Sequence, residues 1–147
     1  MPQHKTHLFV GFLTYAALLY LALFIAPFSF ERKIELLMYA LIGSLFPDID
    51  TKSKIQRIMY SMLFVLFLLL MHTRQYGVAA ILGPLMCLPL MVHHRGIFHS
   101  PLFLAGLSAT AVCLTAVYFP AYTHKMVFNC LFFLGGALSH LWADKRL

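Results

Sequence analysis

Acidic side chains are nearly missing from this chain. Glu31, Glu35, Asp48, Asp50 and Asp144 are all it carries in 147 residues. Charged residues of both signs make up 11%, about half the share of a soluble domain. That scarcity excludes a solvated globular surface. Cysteine is scarce too, and Cys87, Cys113 and Cys130 all lie in apolar stretches with no CxxC pair. This excludes a disulfide framework and a thiolate metal site, and leaves small buried hydrophobes. Internal repeats and low-complexity tracts are absent. The first apolar run, Leu8–Phe28, is too long for a signal-peptide core and lacks a small-residue cleavage site.

Apolar residues are abundant, at 61%. The composition fits one integral-membrane domain over residues 1–147. The net charge of +6 falls in short loops, where it sets topology, so no nucleic-acid partner is expected. Oligomeric state is not legible.

Apolar segments fall at Leu8–Phe28, Ile34–Phe46, Ile55–Met71, Val78–Val92, Pro101–Phe119 and Met126–Leu141. They are too long and unbroken for barrel strands. The expectation is an all-α, polytopic transmembrane bundle of about six spans, some short. The second segment is too short to cross alone. Gly83-Pro84 and Pro89 should kink the fourth, and Gly135-Gly136 should permit close helix approach before His140. Alternate loops place Lys5, Lys52, Lys54, Arg57, Arg95, Lys145 and Arg146 on one side, against Arg32, Lys33, Arg74 and Lys125 on the other. The first side is the expected cytoplasmic one, with both termini.

The same sorting gathers His4, His7, Asp48, Asp50, His93, His94, His99, His140 and Asp144 on that side. Only His72, His124, Glu31 and Glu35 fall on the other. Ionisable groups held at one membrane depth mark a functional site by default. His140 and Asp144 stand i, i+4, one turn apart on one helix face, a good chelating pair; the bland alternative is a polar helix end. Ser100-Pro101 reads as N-cap and first turn of the fifth span, which puts His99 at a helix N-terminus suited to an anion. Arg95 offers a planar donor for phosphate oxygens, or an ordinary anchor, and Gly96 allows close backbone approach. Asp48 and Asp50, two apart in an extended stretch, would face one site and share ions; turn chemistry is the plainer alternative. Arg57 would neutralise them or bind substrate. His7 alone reads as an interfacial residue.

Taken together, Thr6-His7 with Gly11, Phe46-Pro-Asp-Ile-Asp50 with Ser53 and Arg57, His94-Arg-Gly-Ile-Phe-His-Ser100, and Gly136-Ala-Leu-Ser-His140 with Asp144 resemble the YdjM-like family. These are LexA-regulated bacterial inner-membrane proteins regarded as metal-dependent hydrolases. The resemblance covers essentially the whole chain. By the family's grouping with zinc-dependent phospholipase C and P1-type nucleases, it implies a helical scaffold with two or three metals for phosphoester cleavage. The implied ligands are His7, Asp48, Asp50, His94, His99, His140 and Asp144. His93 departs from the pattern, which often has arginine there.

The expected function is a membrane hydrolase using one to three divalent ions, with zinc first among them. Its substrate would be a lipid or lipid-linked phosphate at the cytoplasmic interface of an inner membrane. His94, His99, His140 and the aspartates would hold metal, with Asp48 or Asp50 as ligand or base. Arg57, Arg95 and Ser100 would bind substrate, and Arg95 would also stabilise transferred charge. The alternatives are a metal transporter, disfavoured by span interiors nearly free of ionisable groups, and a non-catalytic protein with a closed structural metal site.

Overall fold

A computed structural model describes residues 4–50, 54–77, 79–80, 83 and 97–146. Among them every regular element is helical. The helices are α1 (His4–Leu23), α2 (Phe30–Leu45), α3 (Lys54–His72), α4 (Pro101–Tyr118) and α5 (Thr123–Arg146). Short 3-10 turns stand at Phe46–Asp50, Ile97–His99 and Pro120–Tyr122. The chain divides into two compact units, Met1–Pro47 with His99–Leu147, and Asp48–Phe98.

Among the described residues, three stretches are long and apolar enough to cross a membrane: Thr6–Leu23, Pro101–Tyr118 and Pro120–Asp144. Large apolar side chains such as Phe9, Leu13 and Leu21 on α1 or Leu102 and Val117 on α4 face outward. Such a surface suits lipid. Of the six expected segments, Val78–Val92 with its Gly-Pro and Pro89 kinks lies almost wholly outside the described residues.

Local chemistry moves the other boundaries. The first helix begins at His4 and stops at Leu23, not Phe28. Tight bonds from Phe24 N to Leu21 O (3.2 Å) and Ile25 N to Ala22 O (3.0 Å) close its last turn. Pro27 disfavours helix in the residue before it. The second helix starts at Phe30, earlier than Ile34, because the Ser29 hydroxyl caps it by accepting from Arg32 N. Glu31 in this first turn, bonded to its own backbone amide and then to Ser29, holds its carboxyl below the usual range. The last helix runs on to Arg146, beyond Leu141, since hydropathy registers only its apolar part. In the second unit, α3 ends in a Schellman turn. Gln75 N donates to Leu70 O (2.9 Å), Arg74 N donates to Met71 O (3.2 Å), and Arg74 takes a left-handed φ of 59°.

In the first unit α5 is the central helix, packed on α1, α2 and α4. One core joins Tyr15, Ala22, Leu36, Ala40, Phe128 and Phe132; a smaller one joins Leu104, Ala137 and Leu141. Helices α2 and α5 run parallel, since Arg32 meets Lys125 near their starts and Ser44 meets His140 near their ends. Their backbones touch at two glycines. A Cβ on Gly136 would collide with the Ala40 carbonyl oxygen, and one on Gly43 with that of Phe133. Neither collision is with a flexible side-chain end, so only glycine allows this spacing. Gly136→Ala should therefore destabilise the protein by about 1–3 kcal/mol, read as an earlier unfolding midpoint in detergent. Gly106→Ala, where a Cβ meets nothing within 4 Å, should leave the midpoint unchanged or raise it. Equal midpoints for the Gly136 variant and the parent would contradict the close contact.

Candidate metal centre

Four helix ends meet at one end of the first unit. The first turn of α1 brings His7, the last turns of α2 and α5 bring Ser44 and His140 with Asp144, and His99 directly precedes α4. His7 lies on the inward stripe of α1 with Gly11 and Tyr15, at four-residue spacing. His7 and His140 are sealed, at 2% and 0% exposure, and their rings stack with centroids 3.9 Å apart. The His99 ring meets His140 edge to face at 5.7 Å.

Asp144 faces all three imidazoles. His7 Nε2 stands 3.5 Å from its Oδ1, while His140 Nε2 at 3.5 Å and His99 Nε2 at 3.7 Å approach Oδ2. Charge-assisted N–H···O bonds run to about 2.7–2.9 Å, so these separations are too long for direct ion-pair hydrogen bonds. They do match the edge of a tetrahedron around zinc, where metal–ligand lengths near 2.0–2.1 Å put ligand atoms about 3.3–3.4 Å apart. One ligand atom from each of His7, His140 and Asp144 lies within 4.8 Å of the others.

The other nitrogen of His140 decides its role. Nδ1 lies 2.8 Å from the Ser44 carbonyl oxygen. A carbonyl can only accept, so Nδ1 carries the hydrogen, and in the neutral form of the ring Nε2 has the lone pair. That lone pair faces a carboxylate oxygen. Two acceptors so close repel unless a cation lies between them. Backbone-carbonyl support of the distal nitrogen is the usual way in which a metal-binding histidine is oriented.

Ser100 caps α4, its hydroxyl accepting from Phe103 N at 3.4 Å, with Pro101 in the first turn. The 3-10 turn Phe46–Asp50 corrects one expectation. The backbone there turns with three residues per turn and lacks the period-two alternation of the extended stretch that was expected. Pro47, in the first turn, suits this helical backbone. The Asp50 side chain lies outside the described residues, as do His93, His94 and Arg95. Arg57 is exposed on α3 in the second unit, beside a groove lined by Ile58, Ser61 and Met62.

Sequence reasoning missed Ser44, because a backbone carbonyl has no sequence signature. It also missed Asn129, the chain's one asparagine, set within an apolar run. That isolation was the signal available.

No curated protein and no solved structure gives a significant match to this chain. A family model described as YdjM inner membrane protein matches residues 1–145. With nearly its whole length matched and its apolar helices closing on a histidine–aspartate cluster, the chain belongs to the YdjM inner membrane protein family.

Proposed function

We propose that this protein is a metal-dependent hydrolase that cleaves a phosphoester of a lipid or lipid-linked substrate at the membrane boundary. The carrying observation is His140 Nε2 facing Asp144 at 3.5 Å, with Nδ1 committed to the Ser44 carbonyl. His7, His140 and Asp144 would hold the ion, and His99 approaches the same carboxylate. Imidazole and carboxylate donors without thiolate suit zinc. A divalent ion there would polarise a phosphoryl oxygen and acidify water toward neutral pH.

The surrounding groups favour catalysis over an inert site. His7 and His140 are sealed, whereas Asp144 (20% exposed) and His99 (12%) leave one side approachable. A structural zinc site is closed by four protein ligands. From sequence, Asp48 or Asp50 would act as further ligand or base, and His94 as ligand. Arg95 and Arg57 would bind the phosphate, Arg95 stabilising charge on the departing oxygens.

Depth argues for an amphiphilic substrate. Exposed Phe24, Phe30, Phe119 and Tyr122 ring the far end of the helices, as interfacial aromatics do. From Phe24 to His7 is 17 residues, roughly 26 Å of helix, and the hydrocarbon core spans about 30 Å. On this reading the centre would stand where acyl chains give way to headgroups. We place this face, with both termini, on the cytoplasmic side of the inner membrane.

Protein purified in detergent without chelator should contain near-stoichiometric divalent metal by elemental analysis, and metal-free protein would remove the premise. His140→Ala and Asp144→Ala should each lower that content while helical circular dichroism is preserved; full occupancy in both excludes them as ligands. Because protons compete for the same imidazole lone pairs, affinity should fall as pH drops below about 6.5. Occupancy that stays level to pH 5 would mean that carboxylates dominate. Loaded protein in mixed micelles should release phosphate or phosphoalcohol from a lipid phosphate panel, and the Asp144 variant should not; equal release by both would assign the activity elsewhere.

A further inference from the structure

A second polar cluster stands at the opposite end of the first unit, unused by the chemistry above. Arg32 Nη1 pairs with Glu35 Oε2 at 2.6 Å, and Arg32 Nη2 donates to the Lys125 carbonyl at 2.8 Å. Asn129 Nδ2 donates to Glu35 Oε1 at 3.1 Å, from a side chain only 5% exposed. At the same level the buried Tyr15 hydroxyl donates to the Lys33 carbonyl at 3.0 Å. These bonds join α1, α2 and α5, the three helices that present His7, Ser44 and His140 at the other end.

Apolar packing and the Gly43/Gly136 contact set how close α2 and α5 lie. They oppose a slide of a whole residue, which would bring a side chain into the glycine contact, but van der Waals contact is not directional and sets smaller offsets less sharply than a hydrogen bond does. Within a bilayer, helices associate through van der Waals packing and interhelical hydrogen bonds, and of these the hydrogen bond is the directional contact. The distances make register matter. Glu35 is nine residues from Ser44, and Asn129 is eleven from His140, roughly 14 and 17 Å of stiff helix. A slide at one end therefore reaches the other undiminished. A shift of one residue moves a helix about 1.5 Å, while the 2.8 Å bond from His140 Nδ1 to Ser44 O tolerates only a few tenths before leaving the range of about 3.2 Å.

We infer that Glu35 and Asn129 are positioning residues for the metal centre: their hydrogen bond fixes the register of α2 on α5 and so holds the Ser44 carbonyl on His140 before an ion arrives. This rests on the reading of His7, His140 and Asp144 as a metal centre. It assigns the far-face acidic residue Glu35 a role at a site two to three helical turns away.

The test uses the full chain in detergent with two readouts. Competition with a chromophoric chelator gives zinc affinity. Nitrogen NMR of the His140 ring in metal-free protein reports the hydrogen-bonded Nδ1–H tautomer, and needs no ion. Asn129→Leu, similar in volume but without the amide, should bind zinc about tenfold more weakly and lose the hydrogen-bonded ring signature, with helix content retained. Glu35→Leu removes the same bond from the other helix and should match it, which keeps the test decisive if one variant fails to fold. Glu35→Gln preserves an oxygen for Asn129 and should lose less than about threefold, a rescue that generic destabilisation would not give. Unchanged zinc affinity and ring signal in both leucine variants would overturn the proposal. A parent protein without zinc affinity would instead sink the metal reading, and the ring signal would still decide the register.

Discussion

The hydrogen bond from His140 Nδ1 to the Ser44 carbonyl organises this end of the molecule. It joins a side chain of α5 to the backbone of α2, and it is possible only because Gly43 and Gly136 let those backbones touch. It commits one ring nitrogen as donor and leaves the other, as an acceptor whenever the ring is neutral, aimed at Asp144. His7, stacked on the same ring, and His99, at its edge, then complete a cluster that holds three imidazole nitrogens 3.5–3.7 Å from the Asp144 carboxylate. Packing, tautomer and electrostatics are thus successive consequences of one helix contact.

The arrangement also explains why a lipid-facing protein carries so few charges. A bilayer penalises isolated ionisable groups, so those that persist are paired or put to use. In the first unit they collect at the two ends of the helix bundle. One end holds the imidazole–carboxylate cluster; the other holds Arg32 and Glu35 with Asn129 between α2 and α5. Between these ends the contacts are apolar or glycine to backbone, and they set how closely the helices lie.

Much of this was legible in the sequence. The i, i+4 spacing of His140 and Asp144 and the Ser100-Pro101 helix start are local patterns, and helix periodicity or capping chemistry reads them directly. The apolar runs marked the helices, though their ends shifted wherever a cap or a proline outweighed hydropathy, as at Ser29 and Pro27. His7 looked interfacial because its partners lie far away in sequence; its burial follows from helix crossing, which no local pattern encodes. The backbone at Asp48 and Asp50 was misjudged, because the chain at Pro47 continues as a 3-10 turn where an extended stretch was expected. Ser44 acts through its carbonyl, which every residue possesses, so composition could not single it out.

The claim on which the account rests is that these imidazoles and Asp144 share a cation. X-ray absorption at the zinc edge of the loaded protein tests it directly. The prediction is a shell of nitrogen and oxygen ligands near about 2.0–2.1 Å with the outer-shell scattering of at least two imidazole rings, reduced by one ring in His140→Ala. A spectrum without imidazole scattering, or one dominated by sulfur at about 2.3 Å, would contradict it.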